Sequence, residues 1–308
     1  MTIKWVEILK KSFEHLKEYK FLWVLGVLAA LTEGGAGGGY SSGGGSNGWS
    51  GNDKDFEKFG NTAFDWISRH SFEIAIIIGA IFIISIIILY ISYSARAGLI
   101  YSADKLEEGE KIDFPKAFHA GQKYFWRFLG LTILIAFIMF AVIMAAIIIV
   151  GGLVLVSIAV SLWLLVIVVP IGIASILGFI VLAIYLGLIL NLSYRSIVIQ
   201  NSSITEAVDR SRKLFHHNMA NILIAWLIQA AIGVAVGIGL LVVSLVAAGV
   251  LFAIGVGVFF SGGLIAAVIY GSIAALAFVA FVLAVSGASN AYISTFWTLT
   301  YKTLSTKS

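Results

Sequence analysis

Two stretches of this chain, Phe128–Tyr194 and Met219–Tyr301, contain no Asp, Glu, Lys, Arg or His. A soluble fold must cover its core with polar surface, and runs of this length leave little to cover it with. Each is several times the ~20 apolar residues that cross a bilayer as a helix. The whole chain is 60% hydrophobic and 12% charged, against roughly 45–50% and about 25% in soluble domains. The expectation is an all-α fold, a polytopic membrane helix bundle forming a single integral membrane domain over residues 1–308.

Between the two runs lies a basic island, Arg195–Asn218, which the chain must carry into water. Upstream, Met1–Lys20 has Trp5, Ile8, Leu9, Phe13 and Leu16 at helical spacing with lysines between them, the pattern of an amphipathic helix. Phe21–Leu31 is a first membrane helix, short for a full crossing. Residues 33–52 form a Gly-rich segment whose composition predicts a flexible loop. It lacks the GK[ST] that ends a phosphate-binding loop. Residues 52–70 are mildly acidic with a weak helical pattern. Ile74–Ala95 is a charge-free span ended by Arg96. Asp113 is placed to cap a helix containing Pro115 in its first turn. Breaks in the long runs are expected at Gly151-Gly152, at Pro170–Gly172 and within Gly255–Gly263.

Cationic residues orient a membrane protein by their excess on the cytoplasmic side. Residues 33–70 hold Lys54, Lys58 and Arg69, outweighed by Glu33, Asp53, Asp55, Glu57 and Asp65. Every other Lys and Arg falls in the N-terminal segment, residues 96–127, the island or the C-terminal tail. Those four are therefore expected in the cytoplasm and the Gly-rich loop outside. Each long run then begins and ends on one side and crosses an even number of times, which predicts six crossings in all. Splitting Phe128–Tyr194 at Gly151 and Pro170 into three crossings also fits its length, but would put the island outside.

Three segments share a pattern: Glu7–Leu16, Lys116–Phe125 and Glu206–Phe215. Each opens with a charge and two apolar residues. Each has a small residue at the sixth place (Ser12, Gly121, Ser211) and a large apolar one at the tenth (Leu16, Phe125, Phe215). The chain thus reads as three parallel helical hairpins, each preceded by a cytoplasmic amphipathic interfacial helix, with repeats at 1–101, 102–200 and 201–308. In the third helix Ser203 and Glu206 form a capping box. Ile204, Val208, Ser211 and Phe215 are expected to lie in the acyl boundary with the cations near lipid phosphates. The candidate contacts to anionic lipid are Lys10, Lys11 and Lys17; Lys116, Lys123 and Arg127; and Arg210, Arg212 and Lys213.

The basic helix leading into FLWVLGVLAAL, then DFPKAFHAGQKYFWRFLGL and SITEAVDRSRKLFHHNMANIL, resembles a group of poorly characterised bacterial and archaeal six-helix integral membrane proteins. It is also similar to the membrane domain attached to some glycerophosphodiester phosphodiesterases. The resemblance implies a fold and a prokaryotic cell membrane. It implies no activity, because nothing here is long enough to form that enzyme's catalytic domain.

The residues point away from catalysis. There is no cysteine, which removes disulfides and thiolate chemistry. The five histidines form no HExxH, no GxSxG occurs, and adjacent His216 and His217 point about 100° apart on a helix. The acidic cluster Asp104, Glu107, Glu108, Glu110 and Asp113, interleaved with Lys105 and Lys111, reads as a solvated loop. No metal or cofactor is implied. The net charge of +4 lies in loops beside apolar runs, which favours a membrane surface over nucleic acid. Asn191, Gln229, Ser286, Ser289 and Asn290 are expected to bond between helices, and Gly233 and Gly237 to let helices approach closely. The functional expectation is a non-enzymatic scaffold or regulator that meets lipids, a membrane-protein partner or a second copy through its cytoplasmic face. The alternative is a transporter or lipid-translocating protein for a neutral or amphiphilic substrate.

Overall fold

The computed structural model of the chain describes residues 3–31, 69–160 and 165–306. The Gly-rich segment and the weak helical pattern before Arg69 lie outside the described residues. Among those described there are eight helices and no strand. They are α1 (Trp5–Glu18), α2 (Phe21–Ala30), α3 (Ser71–Glu107), α4 (Phe114–Gln122), α5 (Phe125–Val160), α6 (Leu165–Ile199), α7 (Ile204–His217) and α8 (Met219–Ser305).

Four of them, α3, α5, α6 and α8, are long and apolar enough to cross a membrane. α2, with 10 residues, is shorter. Of the three expected helix breaks, one is seen. α5 runs straight through Gly151-Gly152. α6 contains Pro170 in its second turn, where only one backbone bond near a helix end is forgone. The break in α8 is real and sits at Gly263, whose φ of 74° and ψ of −172° belong to a region that only glycine occupies cheaply. There the chain folds back. The Tyr270 hydroxyl donates to Leu251 O at 3.3 Å and Trp297 Nε1 donates to Gln229 Oε1, so the two arms of α8 run antiparallel.

Burial divides the molecule into a base and arms. Residues 71–88 of α3 are nearly all exposed, Phe72, Ile76, Phe82 and Ile87 among them, and so are most large apolar residues of α5 beyond Ile138 and of α8 between Val234 and Leu283. A helix apolar on every side with nothing covering it has the composition of one solvated by lipid. The buried side chains gather at the base in three clusters. One joins α6, α7 and both ends of α8 with Ile3. The second joins α1 through α4 with Ala291. The third joins α3, α5, α6 and Ala207 of α7.

The base repeats its own geometry. Leu22, Phe128 and Ile222, near the starts of α2, α5 and α8, are each fully buried, and so are Leu25, Leu131 and Ala225 three residues on. Each amphipathic helix docks on the basal end of a long helix. Gly121 of α4 lies against Ser94 O, where an added Cβ would stand 2.0 Å away. Ser193 Oγ of α6 donates to Ala207 O of α7 at 3.3 Å. The Tyr292 hydroxyl of α8 donates to Leu9 O of α1 at 3.3 Å. The aligned positions Ser12, Gly121 and Ser211, and Leu16, Phe125 and Phe215, are all buried. The apolar stripe of α7 therefore meets protein rather than an acyl boundary, which corrects the expected interfacial pose: Phe215 stacks edge-on to Tyr185 of α6, and Val208 joins the core.

Further glycine contacts hold the base together, none of them in a GxxxG pair. Gly26 of α2 meets Gly287 of α8, and Gly98 of α3 meets α4 at Ala117 O. Gly233 and Gly237, by contrast, have nothing within 4 Å of a built Cβ, because they lie on an arm with no neighbour on that side.

Candidate functional site

Two features of the base carry polar chemistry. The first is a groove of about 910 Å³ lined by Gln200, Asp209, Arg210, Arg212, Lys213, His216, His217, Tyr301 and others. It exists because α7 lies across the ends of α6 and α8 with its charged face outward. Ser203 caps α7 by accepting from the Glu206 amide at 3.4 Å. The reciprocal half of the capping box is not formed; Glu206 instead pairs with Arg210 one turn on. Arg210 also donates to Gln200 Oε1, and Lys213 pairs with Asp209 at 2.6 Å.

The other expected lipid contacts are spread over the same end of the molecule. Lys10 lies 3.9 Å from Glu14 and Lys11 pairs with Glu107 of α3 at 2.7 Å. Arg127 donates to Asn201 Oδ1 at 2.6 Å, locking the α6–α7 turn. Lys17, Lys116, Lys123 and Arg212 are exposed, and among the described residues no acid pairs with them. The acidic cluster is only partly a solvated loop. α3 continues to Glu107, so Asp104 reaches Lys302 of α8 at 2.7 Å while Glu107 meets α1. Lys105 bonds Glu108 and Glu110 at 2.7 and 3.1 Å; these bonds raise the Lys105 pKa and lower that of Glu108. His15, 3.9 Å from Glu107, has its pKa pushed below the ordinary imidazole value by burial, with Glu107 opposing.

The second feature lies between the hairpins and is partly open. A cavity of about 460 Å³ lies where the arms join the base, lined by Arg96 of α3, Asn191 and Arg195 of α6, and Gln229, Asn290, Ser294 and Trp297 of α8, with Ala29 and Leu190 among its apolar wall. Arg195 is 4% exposed. It is not in water, as the island pattern led one to expect, because α6 runs on through Tyr194 to Ile199. Its Nη1 donates to Asn191 O at 2.6 Å and to Asn191 Oδ1, and its Nη2 donates to Ser294 O at 3.3 Å. The guanidinium lies 5.9 Å from the Trp297 ring. Arg96 lies 4.7 Å over the Tyr194 ring, and Tyr194 is held by Thr132 at 2.6 Å. Its described lining includes two guanidiniums.

A family model matches residues 18–305. The chain belongs to DUF7544, a family of unknown function. No curated protein and no solved structure matches the chain. The DUF7544 match brings no link to the membrane domains of glycerophosphodiester phosphodiesterases. It spans both the groove and the cavity, and it begins at the last residue of α1.

Sequence reasoning missed the cavity because Arg96 and Arg195 stand at the ends of apolar stretches, where a cation ordinarily marks the water boundary. The missed signal is a shared spacing: Ser92/Arg96, Asn191/Arg195 and Asn290/Ser294 are polar pairs four apart, one helical turn, so both members of each share a face.

Proposed function

We propose that this chain is a non-enzymatic protein of the plasma (inner) membrane of a prokaryote, crossing it six times as three hairpins grown from one repeated unit. Its termini and α1, α4 and α7 face the cytoplasm, and through that face it engages anionic lipid headgroups. The observation that carries the reading is that the nine candidate cations all lie on α1, α4, α7, the turn into α5 and the first turn of α5, at the end of the molecule opposite the arms. Cations at that level attract the anionic leaflet at about 1 kcal/mol each. Matching burial in α2, α5 and α8 supports the threefold unit.

The test uses spin-labelled phosphatidylglycerol and phosphatidylcholine in reconstituted vesicles. Phosphatidylglycerol should be immobilised preferentially, less so at high salt, and less so in the Lys116→Gln/Lys123→Gln/Arg212→Gln/Lys213→Gln variant. A preference unchanged by those substitutions refutes the role of this face. The cysteine-free background allows the topology to be read separately. Lys10→Cys, Lys116→Cys and Lys213→Cys, all at exposed positions, should be labelled only from inside, and Ser46→Cys only from outside.

A second reading, a lipid-translocating protein, is favoured by the polar cavity between the hairpins. A fluorescent phospholipid in the inner leaflet should then become open to an external quencher. A scaffold leaves it protected.

A further inference from the structure

We propose that the elbow between α1 and α2 holds one anionic phospholipid, its phosphate between Lys17 and Lys20 and the start of an acyl chain against Phe13 and Trp23. This rests on the reading that the base meets lipid headgroups, and it narrows that reading to a single site. Lys20 lies outside the nine cations of that face, since it caps α2 instead of riding on an amphipathic helix.

Local bonds build the elbow. α1 ends at Glu18, and Tyr19 turns the chain with φ −110° and ψ 82°. The Leu22 amide then donates to Tyr19 O at 3.0 Å and the Trp23 amide to Lys20 O at 3.1 Å, which starts α2. The last turn of a helix leaves carbonyls without helical partners. Trp23 Nε1 donates to one of them, Leu16 O, at 3.0 Å, and so ties the first turn of α2 to the last turn of α1. The indole is fixed with its polar edge satisfied and its ring left as a wall. Phe13, Leu16, Lys17, Lys20 and Trp23 line one groove of about 380 Å³. That is at the small end of the roughly 300–1,000 Å³ range of ligand sites, room for a headgroup and its first methylenes rather than a whole lipid.

The charge in the groove has one sign. Among the described residues its lining holds two ammonium groups and no acid, and no acid pairs with either lysine. Glu14 and Glu18 are exposed and are not part of the lining. The first turn of α2 has no acidic residue, so the positive end of its backbone dipole adds to both cations. Lysine binds phosphate as a point charge on a flexible stem, which suits a groove open on one side.

The rings in the same groove decide between a lipid and a soluble anion. Phe13 and Trp23 are 60% and 41% exposed, and aromatic side chains are enriched at the headgroup level of a bilayer. A soluble anion would use the ammonium groups and leave both rings in water; a phospholipid covers all four side chains. Lys20 has helical φ and ψ, so residues 20, 24 and 31 fall within about 40° of one another around α2. Val24 and Leu31 are both exposed, and they continue the face of Lys20 as apolar surface along which a chain can lie.

The experiment uses the full chain in dodecylmaltoside. Native mass spectrometry and thermal melting are recorded with dioleoylphosphatidylglycerol, dioleoylphosphatidylcholine or inorganic phosphate. One copy of phosphatidylglycerol should persist and raise the melting temperature, and the other two should do neither. Lys17→Gln and Lys20→Gln should each weaken that copy about fivefold, and together about thirtyfold. Phe13→Ser should weaken it about fivefold as well. Dibromostearoylphosphatidylglycerol should quench the part of the tryptophan emission that Trp23→Phe removes. Both lysines are exposed, so the double variant is expected to fold; if it does not, the bromolipid result decides. The Lys116→Gln/Lys123→Gln/Arg212→Gln/Lys213→Gln variant should keep the bound copy. A copy that survives Lys17→Gln/Lys20→Gln, equal binding of phosphatidylcholine, equal protection by phosphate, or bromolipid quenching that is the same in Trp23→Phe and the native chain overturns the site. The wider face is decided separately, by the vesicle preference of the quadruple variant.

Discussion

Gly26→Ala should loosen the base more than any other glycine-to-alanine change on an apolar helix. A Cβ at Gly26 would stand 1.9 Å from Gly287 O and 2.8 Å from Gly287 C. Ordinary contact needs about 3.4 Å, so α2 and α8 must part by roughly 1.5 Å, and backbone cannot swing aside as a side-chain tip does. A gap of ~0.5–1 Å already forfeits a quarter to a half of each contact's dispersion energy. α2 holds its place mainly through Leu22, Leu25, Ala29 and Ala30, all buried, so the loss comes to about 2–3 kcal/mol, within the range for overpacking. That is roughly a 30- to 150-fold change in the unfolding equilibrium. The assay is equilibrium unfolding in mixed dodecylmaltoside and dodecyl sulfate micelles, followed by tryptophan emission. Trp23 reports directly because its Nε1 donates to Leu16 O at 3.0 Å. Gly237→Ala is the matched control. Nothing lies within 4 Å of its Cβ, so it should be neutral or gain up to ~1 kcal/mol from helix propensity. Superimposable curves for the two variants would refute the close-approach account of how α2 is held.

Gly263→Ala, at the reversal of α8, should cost about 1–3 kcal/mol of backbone strain, read as a lower melting temperature. Lys302→Met leaves Asp104, whose side chain is 12% exposed, without its 2.7 Å partner. It should cost about 1–3 kcal/mol, discounted from the fully buried case. Adding Asp104→Asn should recover much of that, whereas Lys213→Met, at an exposed pair, should cost no more than ~0.5 kcal/mol. The His15 pKa is lowered on folding. The unfolded chain therefore binds the extra proton first, and the stability from keeping His15 neutral is complete above the ordinary imidazole range and declines as pH falls through it. Chymotrypsin sensitivity at Phe13 should rise below about pH 6 in the native chain and not in His15→Gln.

The hydrophobic runs and the amphipathic periodicity were enough to read the helices and to place α1, α4 and α7 at one end. That part of a fold is written locally, in which side chains face water along each turn. The internal partners were not legible, for a definite reason. Ser12, Gly121 and Ser211 look alike as small residues, yet only the structure shows that each admits a neighbouring backbone or side chain. The GxxxG at Gly233 and Gly237 advertises close packing and has none, while Gly26 and Gly287, far apart in sequence, provide it. Arg195 misled in the same way. A cation at the end of an apolar run signals an interface, and whether the helix continues past it depends on a turn at Asn201, φ 51°, fixed by Arg127 from another helix.

Helix lengths tie the cavity to the membrane around it. α2 has 10 residues, about 15 Å. α5 has 36 residues, about 54 Å, and the hydrocarbon core is ~30 Å thick. Tilting α5 enough to fit within that core would exceed the roughly 0–40° seen for membrane helices. The short and long helices start at the same base, so a uniform slab cannot match both. Under the proposed six-crossing arrangement α2 would draw the headgroups inward, while the arms would hold hydrocarbon far from the base. The Ser92 hydroxyl bonds Ala29 O at 2.8 Å, which sets the far end of α2 level with α3 one turn from Arg96. The thinnest membrane would then lie beside the cavity lined by Arg96 and Arg195.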